Sequence, residues 1–169
     1  MSVPLYDVSI PALKLGLTNL SAILDKAAAH AEAKKLDPKV LPDARLIADM
    51  FPLKRQVQIA CDTAKGAAAR LAGVEIPKHE DNESTLAELK SRIAVTLAFI
   101  SSVKAEQINA GDSREVVLKF PSVTLKFTGL DYVSKFVLPN FYFHVTAAYA
   151  ILRKNAVDVG KNDYLGKIQ

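Results

Sequence analysis

Apolar residues recur every three or four positions over residues 9–34, at Ile10, Leu13, Leu17, Leu20, Leu24 and Ala28. That period puts them on one face of a helix. Ser9 is placed to cap it and Pro11 suits its first turn. Residues 36–51 carry Pro38 and Pro42 and read as a loop, with room for a helical turn at residues 43–47. A second helix is predicted from Pro52 to about Ala72, with Gly73 as its stop signal. Its apolar face runs through Leu53, Val57, Ala60, Cys61, Ala64, Ala68 and Leu71. The small residues of its second half invite a close neighbour. After a polar loop, Thr85 and Glu88 have capping-box spacing. Leu86, Leu89, Ile93, Leu97 and Ile100 then carry a third helix to about Ala105.

Past the turn at residues 109–112 the period changes from 3.6 to 2. Residues 114–120 and 122–127 read as two strands turning across Pro121-Ser122. A lone hairpin is marginal in water, so this one must lean on the bundle or on another chain. A fourth helix is predicted from residue 130 or 131 to 155, with Pro139 kinking or restarting it. The tail, residues 157–166, mixes turn residues with apolar anchors and should fold back. The fold class predicted is mainly α: an up-down four-helix bundle with a small β-hairpin between helices three and four. The pattern does not fix the order of the helices around the bundle.

Composition narrows the function classes more than it names one. A chain of 169 residues, half of them hydrophobic, can bury a core without disulfides or a structural metal, and one domain spanning residues 1–169 is expected. The one cysteine, Cys61, has no intrachain partner, which fits a reducing, cytoplasmic setting. No signal peptide starts the chain and no apolar run reaches membrane-spanning length. The net charge of +4 is spread along the chain without a basic cluster, so neither nucleic acid nor a membrane is an expected partner. There is no Gly-rich phosphate loop, Cys-x-x-Cys pair or nucleophile elbow.

The chemistry concentrates in residues 139–153. Asn140 and His144 lie four apart, on one helix face among Phe141, Tyr142 and Phe143. Such a pair is either a hydrogen-bonded core feature or the remains of a site. The run Pro139-Asn140-Phe141-Tyr142-Phe143-His144-Val145-Thr146-Ala147-Ala148-Tyr149-Ala150-Ile151-Leu152-Arg153 is followed by Gly160-Lys161 and Asp163-Tyr164-Leu165-Gly166. Together with Asp49-Met50-Phe51-Pro52-Leu53 and Gln56-Val57-Gln58, it resembles the signature of an uncharacterised branch of the DinB/YfiT-like superfamily, catalogued as a domain of unknown function.

The resemblance spans essentially the whole chain and implies a four-helix bundle, often a homodimer. Metal-binding members carry one histidine on helix two and a His-x-x-x-His pair on helix four, before a segment ending in Leu-Leu-Arg. Thiol-dependent transferases and isomerases occur among them. Aligned on Leu152-Arg153, His144 takes the second helix-four position and Asn140 the first. Gln58 is assigned to the helix-two position, with Asp62 one turn on. Zinc and nickel want imidazole, thiolate or carboxylate ligands, and amides serve them poorly. A divalent cofactor is therefore disfavoured, and if one binds, His144 with Asp62 would hold it.

His144 is the candidate general base, or else a core histidine satisfied by Gln58, Asn140 or Tyr149. Tyr142 and Tyr149 serve equally as ligand contacts or as core aromatics. His30 and His79 read as solvated, Cys61 as a buried inert thiol, and Arg153 as a partner for a carboxylate or for helix carbonyls. The leading expectation is a DinB-like protein with a degenerate metal site, acting as a small-molecule-binding or interaction module. The alternative is a transferase- or isomerase-type enzyme whose pocket of Gln58, Asn140, His144 and Tyr149 uses His144 for proton transfer. An open pocket at His144 favours the enzyme, and a filled one the module.

Overall fold

The computed structural model describes residues 3–167. Four long helices form the frame: α1 (Ile10–Ala33), α3 (Leu53–Ala72), α4 (Leu86–Ser102) and α7 (Leu138–Lys154). Between them lie α2 (Val40–Asp43), α5 (Ala105–Asn109), strands β1 (Val116–Lys119) and β2 (Thr124–Phe127), and α6 (Gly129–Asp131). A wide π-helical turn at Tyr132–Val137 leads into α7, and α8 (Lys161–Leu165) ends the described chain. The structure is thus the expected mainly helical bundle with a small antiparallel hairpin before its last long helix.

The packing of the helices gives the order that the hydrophobic pattern left open. α1 packs on α4 and α7, and α3 also packs on α4 and α7, so α1 and α3 stand at opposite corners. Asn140 meets Thr63 and His144 meets Gln56, so α7 and α3 run antiparallel. Asp25, late in α1, pairs with Lys90, early in α4, so these two are antiparallel as well. α3 and α4 instead run the same way. Gln58 near the start of α3 holds Glu83 just before α4, while Arg114, just past α5, bonds the carbonyls that end α3. Two helices ascend and two descend, with the descending pair side by side. The chain between α3 and α4 must therefore travel back along the bundle, and residues 76–80 do so, lying beside Asp62, Gly66 and Arg70.

Local signals explain most boundaries. The Thr85–Glu88 capping box forms, and Gly73 ends α3 with a left-handed φ of 72°. Ser9 sits at the start of α1, but its hydroxyl donates to the Leu5 carbonyl at 2.6 Å and caps nothing. The third long helix stops at Ser102, and a separate turn, α5, follows. The expected helical turn in the first loop falls slightly earlier, at Val40–Asp43.

The expected fourth helix opens with the π turn. Pro139 explains this: its ring has no N–H and crowds the carbonyl four residues back, so the turn before it widens to i→i+5 bonding. In the hairpin, Val116 pairs with Phe127 and Lys119 with Thr124, around Pro121-Ser122. Val116 and Leu118 are buried toward the bundle while Val117 and Lys119 face outward. The hairpin's two ends meet at Gly111 and Gly129, where the Gly129 N–H donates to the Asp112 carbonyl at 2.9 Å. A Cβ at Gly129 would run into the Gly111 backbone. The tail folds back onto α1, held by Asn19 to the Tyr164 carbonyl and by Lys26 to Asp163.

Candidate functional site

Three polar residues interrupt the Ala-rich face of α3 at sevenfold spacing: Gln56, Thr63 and Arg70. Seven residues make almost two helical turns, so all three share a face. That face meets α7 and the π turn, and each residue has a partner there. His144 Nδ1 lies 2.7 Å from Gln56 Oε1, Asn140 Nδ2 donates to Thr63 Oγ1 at 2.9 Å, and Arg70 Nη1 donates to the Tyr132 hydroxyl at 3.1 Å. The result is a polar ladder of three rungs through an apolar interface.

The first rung fixes a tautomer. Gln56 Nε2 donates to the Phe51 carbonyl at 3.0 Å, so its oxygen faces the imidazole. An amide oxygen only accepts, so His144 Nδ1 carries the proton and Nε2 the lone pair. His144 is 8% exposed, and burial first and Arg55 second hold its pKa below the ordinary histidine value. In the second rung the Thr63 hydroxyl donates to the Ile59 carbonyl at 2.7 Å and so must accept from Asn140. Asn140 Oδ1 has no partner among the described residues.

Beside the second and third rungs opens a cleft of about 260 Å³. Thr63, Asn140, Arg70 and Tyr132 form its floor, Asp62 lies toward one end, and Lys119 and Phe120 of the hairpin wall it. Phe120, Phe127, Tyr132 and Phe136 make an aromatic cluster with ring centroids 6.0–6.2 Å apart. The π turn supplies two of those rings. Eight residues separate Tyr132 from Asn140, and the wide turn absorbs the extra one, which brings both onto the face toward α3.

The structure separates the residues that the sequence grouped around His144. Gln58 does not reach it. Gln56 does, because positions two apart point to nearly opposite sides of a helix. Gln58 instead bonds Glu83 at 2.8 Å. Asp62 sits with Lys65 and Arg92, level with the Thr63 rung and about 9 Å along α3 from Gln56. His144 and Asp62 are therefore not brought together as a ligand pair. Tyr149 packs at the other side of α7, edge-on to Tyr164 at 5.9 Å. Asn140 alone of the expected group faces the cleft together with Asp62.

Of the remaining candidates, Cys61 is buried, and that burial pushes its thiol up to about 12. Arg153 is exposed and forms no ion pair among the described residues. His79 is not simply solvated: its Nδ1 is enclosed and has no partner among the described residues. Arg92, unremarked in the sequence, is almost wholly buried. It pairs with Asp62 at 2.9 Å, Asp81 at 3.0 Å and Glu83 at 2.9 Å, tying residues 80–83 to α3 and α4.

The donors between α3 and α7 do not fit a zinc or nickel ion. They are one imidazole already engaged through Nδ1, two amides and a hydroxyl. Among the described residues no three His, Cys, Asp or Glu side chains gather as a metal site.

The model of a family described as a domain of unknown function, DUF1993, matches residues 5–165. The chain belongs to the DUF1993 family. This DUF1993 protein is also similar to a DinB family member protein from Shewanella denitrificans, known from a 1.83 Å crystal structure. The two share 47% sequence identity with a TM-score of 0.86, and the match covers 97% of this chain and 93% of that one. The DUF1993 chain thus has a DinB-like fold. No curated protein matches it. No helix among its described residues is long and apolar enough to cross a membrane.

Proposed function

We propose that this DUF1993 protein is a cytoplasmic small-molecule-binding module built on a DinB-like bundle whose metal site has degenerated. The observation that carries the reading is the first rung. Gln56 Oε1 and His144 Nδ1 satisfy each other in the packed α3–α7 interface, and the open space begins one rung away, beside Asn140 and Thr63. An imidazole so engaged and buried serves the fold, whereas a concave, partly aromatic space with a few placed polar groups suits a ligand. An exposed apolar face that includes Ile47, Phe51 and Phe143 supports the further proposal of a homodimer.

The test pairs elemental mass spectrometry with a thermal-shift screen of a broad metabolite library, on protein purified without a histidine tag. The expected result is metal far below one equivalent, together with compounds that raise the melting temperature of the wild type and lose that effect in Asn140→Ala. Tightly held stoichiometric metal, or no stabilising compound in the library, would sink the reading.

A further inference from the structure

Resting on the cleft being the ligand site, we propose that its ligand is a small aromatic carboxylate bearing a hydrogen-bond donor at the opposite end of the ring, with Arg70 binding the carboxylate. The argument begins with charge. Arg70 is half-buried in the cleft floor, and among the described residues its side chain bonds only a neutral phenol, Tyr132. It forms no ion pair among the described residues, and neither does Lys119 at the rim. The two buried cations are paired, Arg92 with three carboxylates and Lys65 with Asp62, and half-buried Arg114 is held by the carbonyls that end α3. Asp62, the acidic residue of the cleft, is engaged through Oδ1 by Arg92 and Lys65. A guanidinium left without an anion, beside a phenol that can also donate, is a carboxylate site.

The opposite end has the opposite preference. Asp62 lies eight residues before Arg70 on α3, about 12 Å along the helix. Among the described residues Asn140 Oδ1 and the second oxygen of Asp62 have no partner, so this end offers acceptors and favours a ligand donor such as a hydroxyl or amine. Between the ends, Phe120 and Phe136 pack against each other, with ring centroids 6.2 Å apart, and together give one apolar wall on which a ligand ring can lie. A cavity of roughly 150 Å³ holds benzene, so about 260 Å³ admits one ring with a small group at each end. Gly66 completes the site, because a side chain there would collide with the Arg70 guanidinium and push it off this line.

Binding is measured by isothermal titration with 4-hydroxybenzoate and 4-aminobenzoate, each against its neutral carboxamide. The wild type should bind the acids at least about tenfold tighter than the amides, the value of one charge-assisted contact. Arg70→Gln should erase that preference, weakening the acids about tenfold more than the amides. Lys119→Gln, on the exposed hairpin edge, should reduce the preference without touching the core, and so guards against misfolding of the first variant. Amides binding as well as acids, a preference that survives Arg70→Gln, or no acid binding at all would overturn the proposal. If amides or other neutral library members bind while acids do not, the cleft stands as a ligand site and only its charge preference falls. If nothing of either charge binds, both readings fall together.

Discussion

His144 Nδ1 and Gln56 Oε1 are paired in the packed α3–α7 interface. Removing the imidazole leaves the amide oxygen unpaired. His144→Ala should therefore cost about 1–3 kcal/mol of folding free energy, read by urea denaturation. A variant as stable as the wild type would mean that the imidazole is kept for chemistry instead. The same residue sets a pH response. Burial holds the His144 pKa below its unfolded value of about 6.5, so the unfolded chain binds the proton more readily. This stability is complete above about pH 6.5 and is lost as pH falls through the folded pKa. His79 is shifted the same way, by burial first and then Lys65 and Arg92. The melting temperature should fall between about pH 7 and pH 5, and His144→Gln should flatten part of that slope. Glu83 does not confuse this window. Burial raises its pKa, but bonds from Arg92 and Gln58 outweigh that and carry its titration below the ordinary glutamate range.

At this scale the sequence was half legible. Asn140 and His144 stood out because polar residues are rare in an aromatic run. Their partners did not. The choice between Gln56 and Gln58 depends on which side of α3 faces α7, and two neighbours compete for that helix. The stripe of Gln56, Thr63 and Arg70 was nevertheless present in the spacing.

Among the elements, the π turn does the most to shape the cleft. Its position follows from Pro139, but its effect on Tyr132 follows only from where α3 lies. In Pro139→Ala the turn can tighten to an ordinary helix, rotating Tyr132 by about 100° away from Arg70. Ligand affinity at the cleft should then fall, even if the more regular helix melts no lower. Equal affinity in a titration of this variant would show that the widened turn does not shape the site. The segment between α3 and α4 makes a second case. It read as a charged loop, yet Arg92 draws Asp81 and Glu83 onto the bundle. Arg92→Ala should cost about 3 kcal/mol, the low end for breaking a buried pair, since Asp62 and Asp81 remain partly open to water. Chemical denaturation measures this directly. A lone arginine on a predicted helix gave no warning of it, because its partners depend on α3 and α4 running the same way.

For the whole molecule, the hydrophobic periods identified four long helices and a hairpin, because burial on one side leaves a period that sequence preserves. They did not reveal that α1 and α3 sit at opposite corners. Helix order is set by how faces of similar width match, and several orders bury similar area. The proposed homodimer is a prediction at this scale. Light scattering should give about twice the 18.3 kDa chain mass, and Phe143→Glu on the exposed face of α7 should return it to the monomer.

The crossing of Gly111 and Gly129 has a consequence for tolerance to change. Neither residue carries a functional group, and neither lines the cleft. Yet an added methyl at Gly129 would push apart the two ends of the hairpin that walls the cleft. In a library of random variants selected for ligand binding, position 129 should accept almost nothing but glycine, while exposed Lys126 on the hairpin varies freely.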